Sequence, residues 1–257
     1  MELCVGKLQV KCFSDILNRI SDSDLSRLTC STIPLLCYWK DSAAGIRAIL
    51  QGIHAEFAEP SRLCFEYPVK SASERSKPSF TDVMYCSKPI SLAIEGKWKE
   101  GRYQTVCQWR TQGNIENRQR VLKHWKGCVV PRSSGIGCID NVVYQMLHRT
   151  ASACTQESDK VVVLYQVFHD SSPKGVDYGK DLKTLTEAIS PRGNLEIWLQ
   201  DIRIDKTELY DDLEKEIKRI CGSQDSVKRK ASIVRKAISG GELFRFEVRR
   251  LRRFGCK

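Results

Sequence analysis

The sequence predicts an α/β fold: a mixed β-sheet with a central antiparallel hairpin, flanked by helices. Three features carry this expectation. Lys160–Phe168 contains the run Val-Val-Val-Leu-Tyr-Gln-Val, short and almost continuously apolar, as in a strand buried on both faces. It is followed by a helical pattern at Leu182–Ile189 and a further strand at Leu195–Ile204, a strand–helix–strand unit. Upstream, Thr81–Ser87 and Ser91–Trp98 read as two strands joined across Lys88-Pro89. An early hairpin and a later strand–helix–strand unit combine into one mixed sheet.

The remaining elements follow in order. A helix is predicted around Ser14–Leu28, then an apolar stretch at Ile33–Trp39. A helix over Ser42–Phe57 repeats Ile46, Ile49, Leu50, Ile53 and Phe57 at helical spacing. Arg62–Lys70 reads as a strand that ends early or lies at an edge, because Pro68 cannot donate to a ladder. A polar loop spans Ser71–Ser79, and helices are expected at Asn114–Trp125, Asp140–Ala153 and Thr207–Cys221. Near the end, Val227, Ala231, Val234 and Ile238 form a helical stripe, and Phe244, Phe246 and Val248 alternate like a strand. The expected organisation is an N-terminal helical segment (1–41), a core (42–221) and a basic C-terminal extension (222–257).

Composition bounds the function. At 257 residues, 41% hydrophobic and 28% charged, the chain is ordinary globular material with enough length for a sizeable core. It contains no apolar run approaching the roughly 18 residues of a membrane span, and Met1–Lys11 lacks the pattern of a secretory signal. A cytoplasmic protein with no membrane partner is expected. Twelve cysteines are strewn along the chain with no CxxC pair, and only four histidines accompany them, so zinc-finger spacings are excluded. Reduced thiols acting as small hydrophobes are expected. The net charge of +11 is concentrated: Ser226–Lys257 holds eleven Lys/Arg against Glu242 and Glu247 alone, a net +9. Lys228, Arg229, Lys230, Arg249, Arg250, Arg252 and Arg253 form the densest part, the electrostatic footprint expected for a phosphate backbone.

The pattern (Asp/Glu)-x-Lys occurs at Glu95-Gly-Lys97, Asp181-Leu-Lys183 and Glu216-Ile-Lys218. Residues two apart share a face on a strand but diverge on a helix. Only the first pattern lies on a predicted strand. A hairpin loop with an even number of residues, centred between Lys88 and Pro89, would place Asp82 directly opposite Glu95, whereas an odd loop would turn it to the other face. Facing carboxylates repel unless a cation separates them, and hard oxygen ligands suit Mg²⁺ or Mn²⁺. Lys97 beside them could steady an attacking water or the charge developing on phosphorus.

At Phe80-Thr81-Asp82 and Ile94-Glu95-Gly96-Lys97, with a helix and a strand before and a helix after, the chain resembles the PD-(D/E)xK nuclease superfamily of restriction enzymes and Holliday-junction resolvases. Thr81 stands where that pattern usually has proline. The resemblance spans roughly residues 42–125 and implies a restriction-endonuclease-like core with Asp82, Glu95 and Lys97 catalytic. Asp82 and Glu95 would be metal ligands, completed by Glu56 from the preceding helix, with Glu66 competing for that role. It also raises Gln119 as a functional glutamine. The implied activity is metal-dependent phosphodiester hydrolysis of nucleic acid, DNA before RNA, in a prokaryotic restriction, repair or defence setting. A homodimer or a protein partner is compatible with it. The alternatives are a non-catalytic nucleic-acid-binding protein and an assembly subunit on the same fold.

Overall fold

A computed structural model describes residues 1–70, 78–170, 177–220 and 224–255. Residues 71–77 of the predicted Ser-rich loop, Cys221, Cys256 and Lys257 lie outside the described residues. One eight-stranded mixed sheet organises the chain, in the order β2-β1-β3-β4-β5-β6-β7-β8. Its strands are β1 (Glu2–Val5), β2 (Leu8–Val10), β3 (Arg62–Val69), β4 (Ser79–Cys86), β5 (Ile90–Lys97), β6 (Lys160–His169), β7 (Leu195–Lys206) and β8 (Phe244–Phe254). From β3 to β5 neighbours run antiparallel, from β5 to β7 parallel, and β8 returns antiparallel to β7. The predicted β6 run is buried from Val161 to Phe168, as a central parallel strand covered on both faces must be.

Helices cover both faces. On one lie α1 (Phe13–Arg19), α2 (Asp22–Leu25), α3 (Thr32–Tyr38), α4 (Ser42–Gly52), α9 (Glu208–Arg219) and α10 (Gln224–Gly240), packed on Val83, Tyr85, Leu92, Ile94, Leu164 and Ile202. On the other lie α5 (Val106–Arg110), α6 (Ile115–Val129), α7 (Tyr144–Cys154) and α8 (Tyr178–Ile189), packed on Met84, Ala93, Val163, Tyr165 and Leu199. Period-2 alternation along β4 and β5 therefore sorts side chains between two separate cores.

Several boundaries differ from expectation. The helix predicted at 14–28 is two short ones, because Ser21 caps α2 by accepting from the Asp24 backbone N–H. The 33–39 stretch is helix α3. Helix α4 stops at Gly52 instead of Phe57, and His54 just beyond it is left-handed (φ 54°). Pro68 sits inside β3 where β1, paired only to Arg62–Phe65, no longer covers that side.

The three-part organisation is corrected as well. Residues 1–41 contribute two strands to the common sheet, and the basic segment is not an extension. Ala231, Val234 and Ile238 of α10 are buried in the first core while Val227 is exposed, and β8 is the eighth strand. Among the described residues no helix is long and apolar enough to cross a membrane. The described cysteines carry free thiols, and burial pushes Cys37 and Cys154 up to about 12, far from a reactive thiolate.

Candidate active site

The hairpin register decides the site. Cys86 pairs with Ser91 and Val83 with Ile94, so the connecting residues 87–90 are even in number and the next step sets Asp82 opposite Glu95. On the far side, Phe65 pairs with Val83 and Tyr67 with Thr81, which brackets Glu66 opposite Asp82. Three acids therefore stand in one row across β3, β4 and β5. Glu66 holds a left-handed backbone (φ 50°), a strain of about 1–3 kcal/mol for a side-chain-bearing residue and the kind that gathers at functional sites.

Glu95 and Lys97 are each only 3% exposed. Glu95 Oε1 accepts from Lys97 Nζ at 2.9 Å and from Gln145 Nε2 at 2.8 Å, and its Oε2 accepts from Arg149 Nε at 2.5 Å. Arg149 also donates to Ser79 Oγ at 2.8 Å, and Ser79 lies 2.9 Å from His148 Nδ1. The Ser79 oxygen accepts from Arg149, and its contact with His148 Nδ1 fits either a Ser79 hydroxyl donating to the ring or a ring N–H donating to Ser79. Burial, with the Arg149 and Lys97 charges, holds His148 well below the usual histidine range. Asp82 accepts from the Gly96 N–H at 2.8 Å. Lys97 lies 4.8 Å from the Tyr103 ring, in a connection anchored by Arg102, whose guanidinium forks onto buried Asp181 at 2.7–3.1 Å.

The acids are electrostatically unequal. Burial alone would raise Glu95, but Arg149 and Lys97 outweigh it and hold its carboxyl below the usual range. Asp82 is held well above that range by burial and by Glu95. Glu66 is pushed up to about 7 by burial and by Asp24, with Glu95 adding to this and Arg149 opposing. Arg149 and Lys97 thus offset burial at Glu95 but not at Asp82 or Glu66. Because folded Glu66 keeps its proton to about pH 7 and the unfolded side chain only to about 4.5, folding takes up a proton between those values. Stability should fall as pH rises from about 4.5 to 7. The thermal midpoint of Glu66→Gln, compared at pH 5 and pH 8, should drop less than that of the wild type; an unchanged drop would rule this out.

Other expectations separate. Glu56 is exposed beyond the end of α4, whose buried side chains pack on the opposite sheet face, so it is not brought to Asp82. Glu66 stands nearer: its backbone lies beside Asp82 in the sheet, and its charge acts on Asp82. Gln119 is exposed on α6; the glutamine that meets Glu95 comes from α7. Asp181-Leu-Lys183 and Glu216-Ile-Lys218 lie on α8 and α9, as predicted. Gln145, His148 and Arg149 were missed by sequence reasoning. The available signal was their i, i+3, i+4 spacing on a helix that otherwise turns Met146, Leu147 and Ala151 inward.

The basic residues divide between the faces. Arg252 falls in the same row as Glu95, through Tyr165 and Leu199, roughly 14 Å away at about 4.8 Å per strand. Arg253 faces the other side, 3.1 Å from Glu196, and Arg249 is 2.7 Å from Glu247. Lys228 and Arg229 are exposed on α10, and Lys230 is half-buried there, across the sheet from Asp82.

Among the described residues no three His, Cys, Asp or Glu side chains converge as a complete metal cage. Mg²⁺ seldom uses one; it takes one or two carboxylates and fills its octahedron with water and substrate phosphate. Asp82 and Glu95 have the chemistry of such a pair, and a cation would relieve the burial that Arg149 and Lys97 do not offset at Asp82 and Glu66.

The family described as a domain of unknown function, DUF6946, matches residues 10–213, and the chain belongs to it. No curated protein and no solved structure matches the chain.

Proposed function

We propose that this DUF6946 protein is a divalent-metal-dependent nuclease that hydrolyses phosphodiester bonds at Asp82, Glu95 and Lys97, in a restriction, repair or defence role. The observation that carries this reading is the meeting of all three on one sheet face, set by an even hairpin connection. The order of α4, β3, the β4–β5 hairpin and the helices after it also suits the restriction-endonuclease-like core implied by the PD-(D/E)xK resemblance. Asp82 and Glu95 would hold Mg²⁺ or Mn²⁺, which when bound supplies a nucleophilic water at neutral pH and neutralises phosphate charge. Lys97, kept protonated by Glu95 and Asp82 against the pull of burial, stabilises the anionic transition state. Arg250 and Arg252 extend the positive charge along β8.

The testing experiment is incubation with plasmid, single-stranded DNA and RNA, each with Mg²⁺, Mn²⁺ or EDTA. Cleavage of at least one substrate that EDTA abolishes is expected; no cleavage in any arm overturns the reading. Within an active preparation, Glu66→Gln should raise the Mg²⁺ needed for half-maximal rate and Glu56→Gln should not. The opposite order would return the third carboxylate to Glu56.

One observation favours a second reading, a nucleic-acid-binding protein with idle carboxylates: both Glu95 oxygens are already engaged by Lys97, Gln145 and Arg149. That reading predicts nucleic-acid binding indifferent to metal.

A further inference from the structure

Arg149 is a buried cation held at both ends of its guanidinium. It forms the shortest contact to Glu95 and is tied on its other arm to Ser79. With Asp82, Glu66 and Glu95 all ionised, Arg149 and Lys97 leave this group at net −1. A divalent cation placed between Asp82 and Glu95 would turn it to net +1, in a site that excludes most water and so screens little. It would also need lone pairs on Glu95 that Arg149 and Gln145 now occupy.

We propose that Arg149 holds the cation's place on Glu95, so that divalent metal enters this site together with a phosphodiester and not before it. The phosphodiester supplies the missing negative charge, offers Arg149 an alternative oxygen partner, and fills coordination positions that the two carboxylates leave open. Arg149 is in this view a positioning residue that sets the order of binding. The inference rests on the reading of Asp82 and Glu95 as the metal pair.

The test is Mn²⁺ binding, followed by the electron paramagnetic resonance signal of free Mn²⁺, with and without phosphorothioate oligonucleotides (duplex, single-stranded DNA and RNA in parallel). Wild-type protein should bind Mn²⁺ at least tenfold more tightly with one of these oligonucleotides than alone. Arg149→Met should bind Mn²⁺ alone at least tenfold more tightly than wild type, a gain that mere damage to the site would not give. Arg149→Lys, which keeps the charge, should stay near wild type. Equal Mn²⁺ affinity of wild type with and without every oligonucleotide overturns the proposal without needing any variant to fold. An Arg149→Met protein that folds and binds Mn²⁺ no better than wild type overturns it too. Asp82→Asn separates the two readings: if it binds Mn²⁺ as wild type does, or if wild type binds none in any arm, the metal pair itself falls. Tight Mn²⁺ binding to wild type alone, lost in Asp82→Asn, removes only the role of Arg149.

Discussion

Asp82→Asn and Lys97→Ala are expected to lower cleavage by roughly a hundred- to ten-thousandfold, the scale for groups that act on charge developing at the reacting phosphate. Their effects on stability should differ. Asp82 sits opposite Glu95 and is held above its ordinary range by burial and by that negative neighbour, so Asp82→Asn relieves a repulsion. Its thermal midpoint should equal or exceed that of the wild type while activity collapses, the trade-off expected where a site is built against stability. Glu95→Ala is different, because it strands Arg149 and Lys97 without their shared partner. Breaking one side of a buried ion network costs about 3–5 kcal/mol, so this variant should lose stability along with activity. Lys183→Ala and Lys218→Ala, exposed on α8 and α9, should cut normally. Wild-type cleavage by Lys97→Ala, or its loss in Lys218→Ala, would place the catalytic lysine outside the Glu95-Gly-Lys97 pattern. Rates at saturating substrate and melting curves on the same preparations provide both readouts.

Removing the basic segment should prevent folding. A chain ending at residue 223 loses Ala231, Val234, Ile238, Leu243 and Phe244 from the first core and uncovers β7 along its length. Truncating one buried Phe costs about 3–5 kcal/mol, and an entire domain is stable by about 5–15, so the sum of these losses exceeds what the fold holds in reserve. Circular dichroism should show no cooperative melt; a soluble truncated chain melting near the wild-type temperature would refute this. Replacing Arg249, Arg250, Arg252 and Arg253 by alanine should leave the midpoint within a few degrees, because all four lie on the outer edge strand. The log–log salt slope of nucleic-acid binding should then become shallower by about 0.9 for each arginine that neutralises a phosphate on duplex DNA. With Arg253 on Glu196 and Arg249 on Glu247, the loss should come chiefly from Arg250 and Arg252. An unchanged slope would leave these arginines as guards of an exposed strand edge, another established use of charge.

What the sequence by itself determined was what depends on local period and short-range geometry. The apolar run of β6 announced a strand covered on both faces. The spacing Glu95-Gly-Lys97 on a strand put both side chains on one face, and an even connection across Lys88-Pro89 brought Asp82 to them, because strand side chains alternate with a period of two. Only the tertiary structure decided what depends on which elements become neighbours. Glu56 and Glu66 are ten residues apart, yet α4 packs beneath the sheet and β3 lies beside β4, so Glu66 alone joins Asp82. Gln145 and Arg149 reach Glu95 from 50 and 54 residues away because α7 crosses the β4–β6 face, a placement that no local pattern encodes. The basic segment read as a tail because its charges dominate its composition. It became structure because Ala231, Val234, Ile238 and Phe244 bury apolar surface against helices and strands distant in the chain, a driving force that is non-directional and visible only once those partners are assembled.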